Sequence, residues 1–174
     1  TRSIMYEYFN TQKRVIFETP RKVVYSSKFQ CPEEYQEALL QFEKNAREGK
    51  NLNVYLSDQI RKPEKADDLL NDWNIYHFHL TRRFRKDGFA KRSDYQIFAW
   101  VTADCIYMIQ IYPHREAHLY AKKELLRIIE ANWPELLEKH RIKGGLHLTV
   151  QLDDGGYEAL RNAHVSSFAE LGEN

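Results

Sequence analysis

The sequence predicts an α+β fold in which an antiparallel β-meander is packed by N-terminal helices and by one long helix that follows the meander. Two observations lead to this prediction. Residues 74–112 contain three runs rich in β-branched and aromatic residues with turn residues between them, which is typical of three short strands. Residues 32–73 and 115–138 instead repeat their apolar residues at helical spacing.

The length favours a single domain. A chain of 174 residues is long enough to bury one core, whereas two full domains would each be small. We therefore expect one domain over residues 1–174, with a helical part at about 32–73, the meander at about 74–112, and a helix with a small αβ segment at about 115–174. The hydrophobic share of 43% and the aromatic share of 13% are higher than a disordered chain carries.

The net charge, the cysteine spacing and the lack of long apolar runs limit which kinds of site and location we expect for this chain. The net charge is +1, so any attraction for nucleic acid must come from local clusters and not from the total. Cys31 and Cys105 lie far apart and form no CxxC pair, which argues against a zinc or redox site and is typical of a reduced cytosolic protein. No apolar run approaches the roughly 20 residues of a membrane-spanning helix, and no signal-peptide pattern is present. We expect a cytoplasmic protein that does not contact a membrane.

The N-terminal part contains three short runs of β-type residues. They lie at 4–9, 14–17 and 22–26. Thr19-Pro20 provides a turn between the last two runs, which predicts a hairpin. Pro32 suits the first position of a helix and Gly49 suits the position after its end, so we predict the first helix at 32–48.

Helical spacing recurs on both sides of the meander. Residues 115–131 form the longest predicted helix, and Asn132-Trp133-Pro134 ends it because proline disfavours helical backbone in the preceding residue. The remaining predictions are a helical segment at 52–60, a short helix at 67–73, a strand at 146–150 and a short helix at 157–163.

The first strand of the meander carries two histidines. Residues alternate in Ile75-Tyr76-His77-Phe78-His79-Leu80, and the period of two in a strand places His77 and His79 on the same face. The next two runs, 95–100 and 106–112, are joined by a short turn and predict an antiparallel hairpin. His114 follows this hairpin directly, where a strand ends in a loop, and functional side chains often occupy such positions.

A basic cluster separates the first strand from the hairpin. Six cations fall within 11 residues with only Asp87 opposing them, and Phe84 and Phe89 are interleaved. Cationic side chains bind phosphates and aromatic rings stack on bases, so the pattern fits nucleic-acid binding. A solvated surface loop is the alternative interpretation. The cations are Arg82, Arg83, Arg85, Lys86, Lys91 and Arg92.

The histidines are compatible with three kinds of site. In metal-independent RNA cleavage one imidazole removes the 2′-hydroxyl proton, a second protonates the leaving 5′-oxygen, and an arginine neutralises charge on the phosphate. His77 or His79, His114 and Arg92 would take these roles. A second interpretation is a metal ion held by His77, His79 and His114, and a third is that the histidines only pack and hydrogen-bond. No P-loop or GxGxxG is present, so we expect no nucleotide-driven chemistry.

A set of motifs between residues 48 and 137 adds a resemblance. The motifs are Leu69-Leu70-Asn71-Asp72-Trp73, His77-Phe78-His79-Leu80, Arg92-Ser93, Phe98-Ala99, Tyr107, His114 and Asn132-Trp133-Pro134. Together they resemble a family of small, largely uncharacterised bacterial proteins often encoded near mobile or phage-related genes. That resemblance identifies related proteins more than it identifies an activity.

A looser likeness runs to the RelE and barnase-like ribonuclease toxins, which place a basic site containing histidine or arginine on an antiparallel meander packed by N-terminal helices. The likeness implies a metal-independent ribonuclease. Arg92 and His114 would correspond to its site residues, because they occupy the same kinds of position directly after or before a strand. This chain departs from the pattern because it is larger, has a separate C-terminal segment and is nearly neutral, whereas such toxins are usually strongly basic.

The leading hypothesis is an RNase-like toxin or phage-defence component that cleaves RNA by histidine acid–base chemistry, without a metal or another cofactor. The predicted catalytic residues are His77, His79, Arg92 and His114. The predicted nucleic-acid contacts are Arg82, Arg83, Arg85, Lys86 and Lys91. We expect RNA and an antitoxin or other protein as partners. The alternative is a non-catalytic interaction module whose basic loop binds an acidic partner or nucleic acid, and a three-histidine metal site is a further alternative.

Overall fold

The computed structural model describes residues 4–142, 150–163, 165 and 168–171. Within these residues the chain forms six α-helices and one four-stranded sheet with helices on both of its faces, so the predicted α+β fold is confirmed. The helices are α1 (Ile4–Arg14), α2 (Gln36–Arg47), α3 (Asp68–Trp73), α4 (Lys123–Asn132), α5 (Pro134–Glu138) and α6 (Asp154–Asn162). The strands are β1 (Lys22–Tyr25), β2 (Tyr76–His79), β3 (Tyr95–Val101) and β4 (Cys105–Pro113).

Short 3₁₀ helices connect these elements. They are Glu33–Tyr35, Asn53–Tyr55, Asp58–Arg61 and Leu119–Ala121. The helical segment predicted at 52–60 is therefore two 3₁₀ turns and not one α-helix. The strand predicted at 146–150 lies, except for Val150, outside the described residues. No helix in the described part of the chain has both the length and the apolar character needed to cross a membrane.

The sheet is mixed, with the strand order β1-β4-β3-β2. Strands β2, β3 and β4 form the predicted antiparallel meander. Strand β1 is parallel to β4, with Val23 opposite Ile106. The predicted hairpin of 14–17 with 22–26 is wrong, because β1 pairs with a strand far along the chain and residues 15–17 form no strand.

The strand predicted at 4–9 is also wrong, because these residues belong to α1. Polar contacts hold this helix in place: Asn10 and Arg14, one turn apart, are both buried and donate hydrogen bonds to backbone carbonyl oxygens. Asn10 reaches Pro63 and Lys65 at 2.7 Å each, and Arg14 reaches Gln59 at 3.1 Å and Lys62 at 3.0 Å. Apolar residues of α1 such as Phe9 remain exposed, so hydrophobic spacing gives no sign of the helix.

Two apolar cores lie on opposite faces of the sheet. The first joins Phe42 of α2 to Phe78 of β2, and the second joins Leu125 and Ile129 of α4 to Phe98 of β3. Burial of one such side chain contributes roughly 1.5–3 kcal/mol. Because neighbouring residues of β3 enter different cores, the register of β3 is strongly fixed.

The helix after the meander is shorter than the predicted 115–131. Its first residue is Lys123, because His118 adopts a left-handed backbone conformation (φ 51°) that interrupts any earlier helix. Asp154 then accepts a hydrogen bond from the Lys123 backbone N–H at 2.9 Å, which caps the first turn from a distant part of the chain. The predicted break at Asn132-Trp133-Pro134 is confirmed, since α5 begins at Pro134.

Candidate active-site cleft

A cleft of about 600 Å³ opens beside β2, which is an edge strand within the described residues. Its walls come from β2 and β3, from α3 and α6, and from the 3₁₀ helix Asp58–Arg61. All four residues that the sequence predicts as catalytic border this cleft, namely His77, His79, Arg92 and His114. A cavity of this size is large enough for a small-molecule or dinucleotide ligand.

The alternation of β2 places two of these histidines. Tyr76 and Phe78 are buried in the first core, so His77 and His79 lie on the opposite face, as predicted. Both histidines are partly exposed, and both border the cleft. The core residues of β2 therefore hold the two imidazoles toward the cleft.

Arg92 and His114 reach the same cleft because the loop before β3 and the chain after β4 leave the sheet at one end, where Tyr95 pairs with Pro113. Hydrogen bonds to the backbone fix both exits. Ser93 Oγ accepts from the Leu80 N–H at 2.9 Å and donates to the Tyr95 carbonyl at 2.5 Å, and the His114 N–H donates to the Asp94 carbonyl at 2.6 Å. Ser93 is thus a structural link between β2 and β3.

His79 and His114 lie near each other on the cleft with their rings in similar orientations. Their ring centres are 6.4 Å apart and their planes differ by 7°. Imidazole nitrogens form hydrogen bonds in the plane of the ring. Two neighbouring rings of similar orientation can therefore contact oxygens of one phosphate bound at their edges.

The environment of His79 favours its neutral form. Burial lowers its pKa to about 4, and the positive charges of His77, His114 and Arg92 act in the same direction. Its Nδ1 is also buried with no hydrogen-bond partner in the described structure, so a protonated ring would bury an unpaired N–H. His79 is consequently a neutral imidazole at neutral pH.

His114 is affected in the same direction. Burial lowers its pKa, the Arg92 guanidinium lowers it further, and the Asp94 carboxylate partly opposes both. An anion bound between Arg92 and the two histidines would reverse this effect, because a negative charge stabilises the imidazolium form. The protonation of the cleft is thus sensitive to phosphate binding.

Asp67 is a site residue that the sequence reasoning missed. Its Oδ2 lies 3.7 Å from His77 Nδ1, while its Oδ1 accepts from the Leu70 N–H at 3.1 Å and caps α3. The separation of Asp67 Oδ2 and His77 Nδ1 is too long for a hydrogen bond, and the carboxylate places a negative charge beside this imidazole. The sequence signal was an N-cap aspartate on a short helix that leads directly into β2.

A tyrosine–glutamine pair was missed as well. Gln96 lies opposite His79 in the sheet and is only 1% exposed, and Tyr120 donates its hydroxyl to Gln96 Oε1 at 2.8 Å. The Tyr120 ring also packs against His77, with ring centres 5.0 Å apart. This pair supports the floor of the cleft below both histidines of β2.

The basic loop is partly neutralised by carboxylates. Arg85 pairs with Asp58 at 2.8 Å and also with Asp87, and Arg82 pairs with Glu37. The other predicted cations of the loop are exposed, and none has an ion pair among the described residues: Arg83, Lys86, Lys91 and Arg92. The exposed basic surface is therefore smaller than the sequence cluster, and Arg92 connects it to the cleft.

The described residues contain no group of three histidine, cysteine, aspartate or glutamate side chains arranged to hold a metal ion. In that part of the chain, His77, His79 and His114 border one cleft without converging on one point. Comparisons with protein-family models, curated proteins and solved structures found no match. The function is therefore inferred from the cleft itself.

Proposed function

We propose that this protein cleaves RNA by histidine acid–base chemistry that requires no metal ion. The observation that supports the proposal is the placement of three imidazoles and Arg92 on one cleft, with His79 and His114 parallel and 6.4 Å apart. Transfer of the 2′-hydroxyl proton and stabilisation of a phosphorane require two imidazoles and a cation around one phosphate.

In the proposed reaction neutral His79 accepts the proton of the ribose 2′-hydroxyl. The 2′-oxygen then forms a bond to phosphorus and the bond from phosphorus to the 5′-oxygen breaks. His77, which has the Asp67 carboxylate 3.7 Å from its Nδ1, donates a proton to the leaving 5′-oxygen. The products are a 2′,3′-cyclic phosphate and a 5′-hydroxyl. Water is not consumed in this step, and one proton has moved from His77 to His79.

Arg92 and His114 bind the phosphate in this scheme. Negative charge grows on the non-bridging oxygens in the transition state, and a guanidinium can contact two of them at once. The His114 ring centre lies 6.4 Å from that of His79, and His114 supplies a further N–H donor. Both residues act by stabilising charge and not by exchanging the reacting proton.

Carboxylates that border the cleft are consistent with a phosphate substrate because most of them are already paired. Asp58 pairs with Arg85 at 2.8 Å, and Glu158 pairs with His118 at 2.6 Å. Asp67 faces His77, as described above. Because Arg85 offsets the charge of Asp58, repulsion of a phosphodiester by Asp58 is reduced.

The exposed surface of the basic loop would guide RNA to the cleft. Arg83, Lys86 and Lys91 provide phosphate contacts, and Phe84, which is 39% exposed, provides a ring for base stacking. Arg85 and Arg82 contribute less because their charges are neutralised by Asp58, Asp87 and Glu37.

On the likeness to RelE and barnase-like ribonuclease toxins, we propose a cytoplasmic toxin or phage-defence role, with an antitoxin protein as the partner. The same exposed loop supports a second candidate function, a non-catalytic module that binds nucleic acid or an acidic partner through Arg83, Lys86 and Lys91. The two functions differ in whether the cleft histidines are needed for anything beyond binding.

Cleavage of total RNA by the purified protein in the presence of EDTA tests the proposal. The matched variants are His114→Ala in the cleft and His140→Gln, an exposed histidine outside it, both compared at equal thermal stability. We expect the parent and His140→Gln to cut RNA in EDTA and His114→Ala to lose at least about 100-fold in rate. Cleavage that EDTA abolishes would favour the three-histidine metal site, and RNA binding without cleavage would favour the interaction module.

A further inference from the structure

We infer that Arg161 forms a second anion subsite of the cleft, which binds a phosphate group adjacent to the one that is cleaved. The inference rests on the proposed function in taking nucleic acid as the ligand of the cleft. Arg161 belongs to α6 and borders the same cavity as His77, His79, Arg92 and His114.

The Arg161 side chain is held firmly in place. It is 8% exposed, and its Nε donates to Asp72 Oδ2 at 3.1 Å. Its guanidinium carbon lies 4.1 Å from the centre of the Trp73 ring, a distance typical of a cation–π contact. Asp72 and Trp73 both belong to α3, so α3 fixes the arginine that α6 supplies to the cleft.

The two Nη atoms of Arg161 are buried and have no hydrogen-bond acceptor in the described parts of the chain. The other buried arginines differ in this respect. Arg14 donates from Nε, Nη1 and Nη2 to three backbone carbonyls, and Arg21 donates to the carbonyls of the turns beside it. Buried donors without acceptors are rare in folded proteins, and a bound ion is one of the explanations for them.

A phosphate group provides the hydrogen-bond acceptors that the Nη atoms of Arg161 lack. The Asp72 carboxylate occupies the Nε position, which leaves two Nη donors that can reach two oxygens of one anion. Nucleic acid carries a phosphate at every nucleotide, and a cleft of about 600 Å³ can hold more than one of them. With Arg92 near the cleaved phosphate, the cleft then has separate guanidinium donors for two neighbouring phosphates. Because Asp72 offsets the charge of Arg161, the second subsite binds through the Nη hydrogen bonds.

The probe is the deoxydinucleotide TpT, together with its 5′-phosphorylated and 3′-phosphorylated forms. None of the three has a 2′-hydroxyl, so binding can be measured by calorimetry without cleavage. We expect a terminal phosphate at one of the two ends to tighten binding by about 10- to 100-fold in the parent. Arg161→Gln should abolish that gain while changing the affinity for unphosphorylated TpT by less than about threefold. Arg47→Gln removes an exposed arginine on α2 and should preserve the gain.

Arg161→Lys is the second variant, for the case that Arg161→Gln fails to fold. It keeps the positive charge beside Asp72 but loses the paired Nη donors, so it should lose most of the gain in affinity. A gain that persists in the folded Arg161 variants, or no gain in the parent with either phosphorylated probe, would overturn the inference. The proposed function is tested separately. If the parent shows the Arg161-dependent gain but cuts no RNA, the anion subsite is supported and the ribonuclease function is rejected.

Discussion

The strongest quantitative consequence of the cleft concerns the stability of the fold in mild acid. His79 is expected to destabilise the protein as the pH falls, because the folded chain keeps this ring neutral. Burial is the largest cause of its low pKa of about 4, and the charges of His77, His114 and Arg92 add to it. In the unfolded chain the same ring titrates near the ordinary value of about 6.5.

The sign and size follow from these two values. Between about pH 6.5 and pH 4 the unfolded chain binds a proton at His79 that the folded chain does not bind, so lowering the pH favours unfolding. The free energy of unfolding is unaffected by His79 well above pH 6.5, and at pH 5 the loss amounts to about 2 kcal/mol. Below pH 4 the loss approaches its limit of about 3 kcal/mol, since both states then bind the proton.

Urea unfolding at pH 7.5 and pH 5.0 measures the effect in the parent and in His79→Gln, which cannot titrate. We expect the parent to lose about 2 kcal/mol more than His79→Gln over this range. His140→Gln removes an exposed histidine and should behave like the parent. An equal loss of stability in the parent and in His79→Gln would refute the argument, because it would mean that the burial of His79 does not suppress its protonation.

Three further predictions follow from the same structure. Asp67→Asn keeps a good helix cap but removes the charge beside His77. Single-turnover kinetics should show RNA cleavage slowed by about 10- to 100-fold relative to the parent, and thermal melts should show little loss of stability. Arg92→Lys keeps the positive charge but loses the paired guanidinium donors, so kcat should fall at least about tenfold with a smaller change in KM. An unchanged kcat would mean that Arg92 does not stabilise the transition state. Leu125→Ala in the second core should lower the free energy of unfolding by about 2–5 kcal/mol in urea, and a loss below 1 kcal/mol would contradict the burial of Leu125.

The meander and the two histidines of β2 could be predicted because their signal is local. Alternation in Ile75-Tyr76-His77-Phe78-His79-Leu80 indicates both the strand and the shared face of the imidazoles, and the structure shows both. Arg92 and His114 come to the same cleft because they flank paired strands, which the short turn between β3 and β4 already indicates.

The N-terminal part and the buried polar residues could not be predicted because their partners are distant in sequence. Helix α1 is anchored by Asn10 and Arg14 to carbonyl oxygens about fifty residues later, and no apolar stripe marks it. The start of α4 at Lys123 depends on a cap from Asp154. Arg161 reads as an ordinary surface arginine of a short helix until α3 covers it.

The most direct test of the central claim is cleavage of a DNA oligonucleotide that contains a single ribonucleotide, with EDTA present. Acid–base chemistry at His77 and His79 requires the 2′-hydroxyl, so we predict one cut, on the 3′ side of the ribonucleotide, that leaves a 2′,3′-cyclic phosphate and a 5′-hydroxyl. The all-DNA oligonucleotide should remain intact. Cuts in the all-DNA strand, ends that carry a 3′-hydroxyl and a 5′-phosphate, or loss of all cleavage in EDTA would contradict the account.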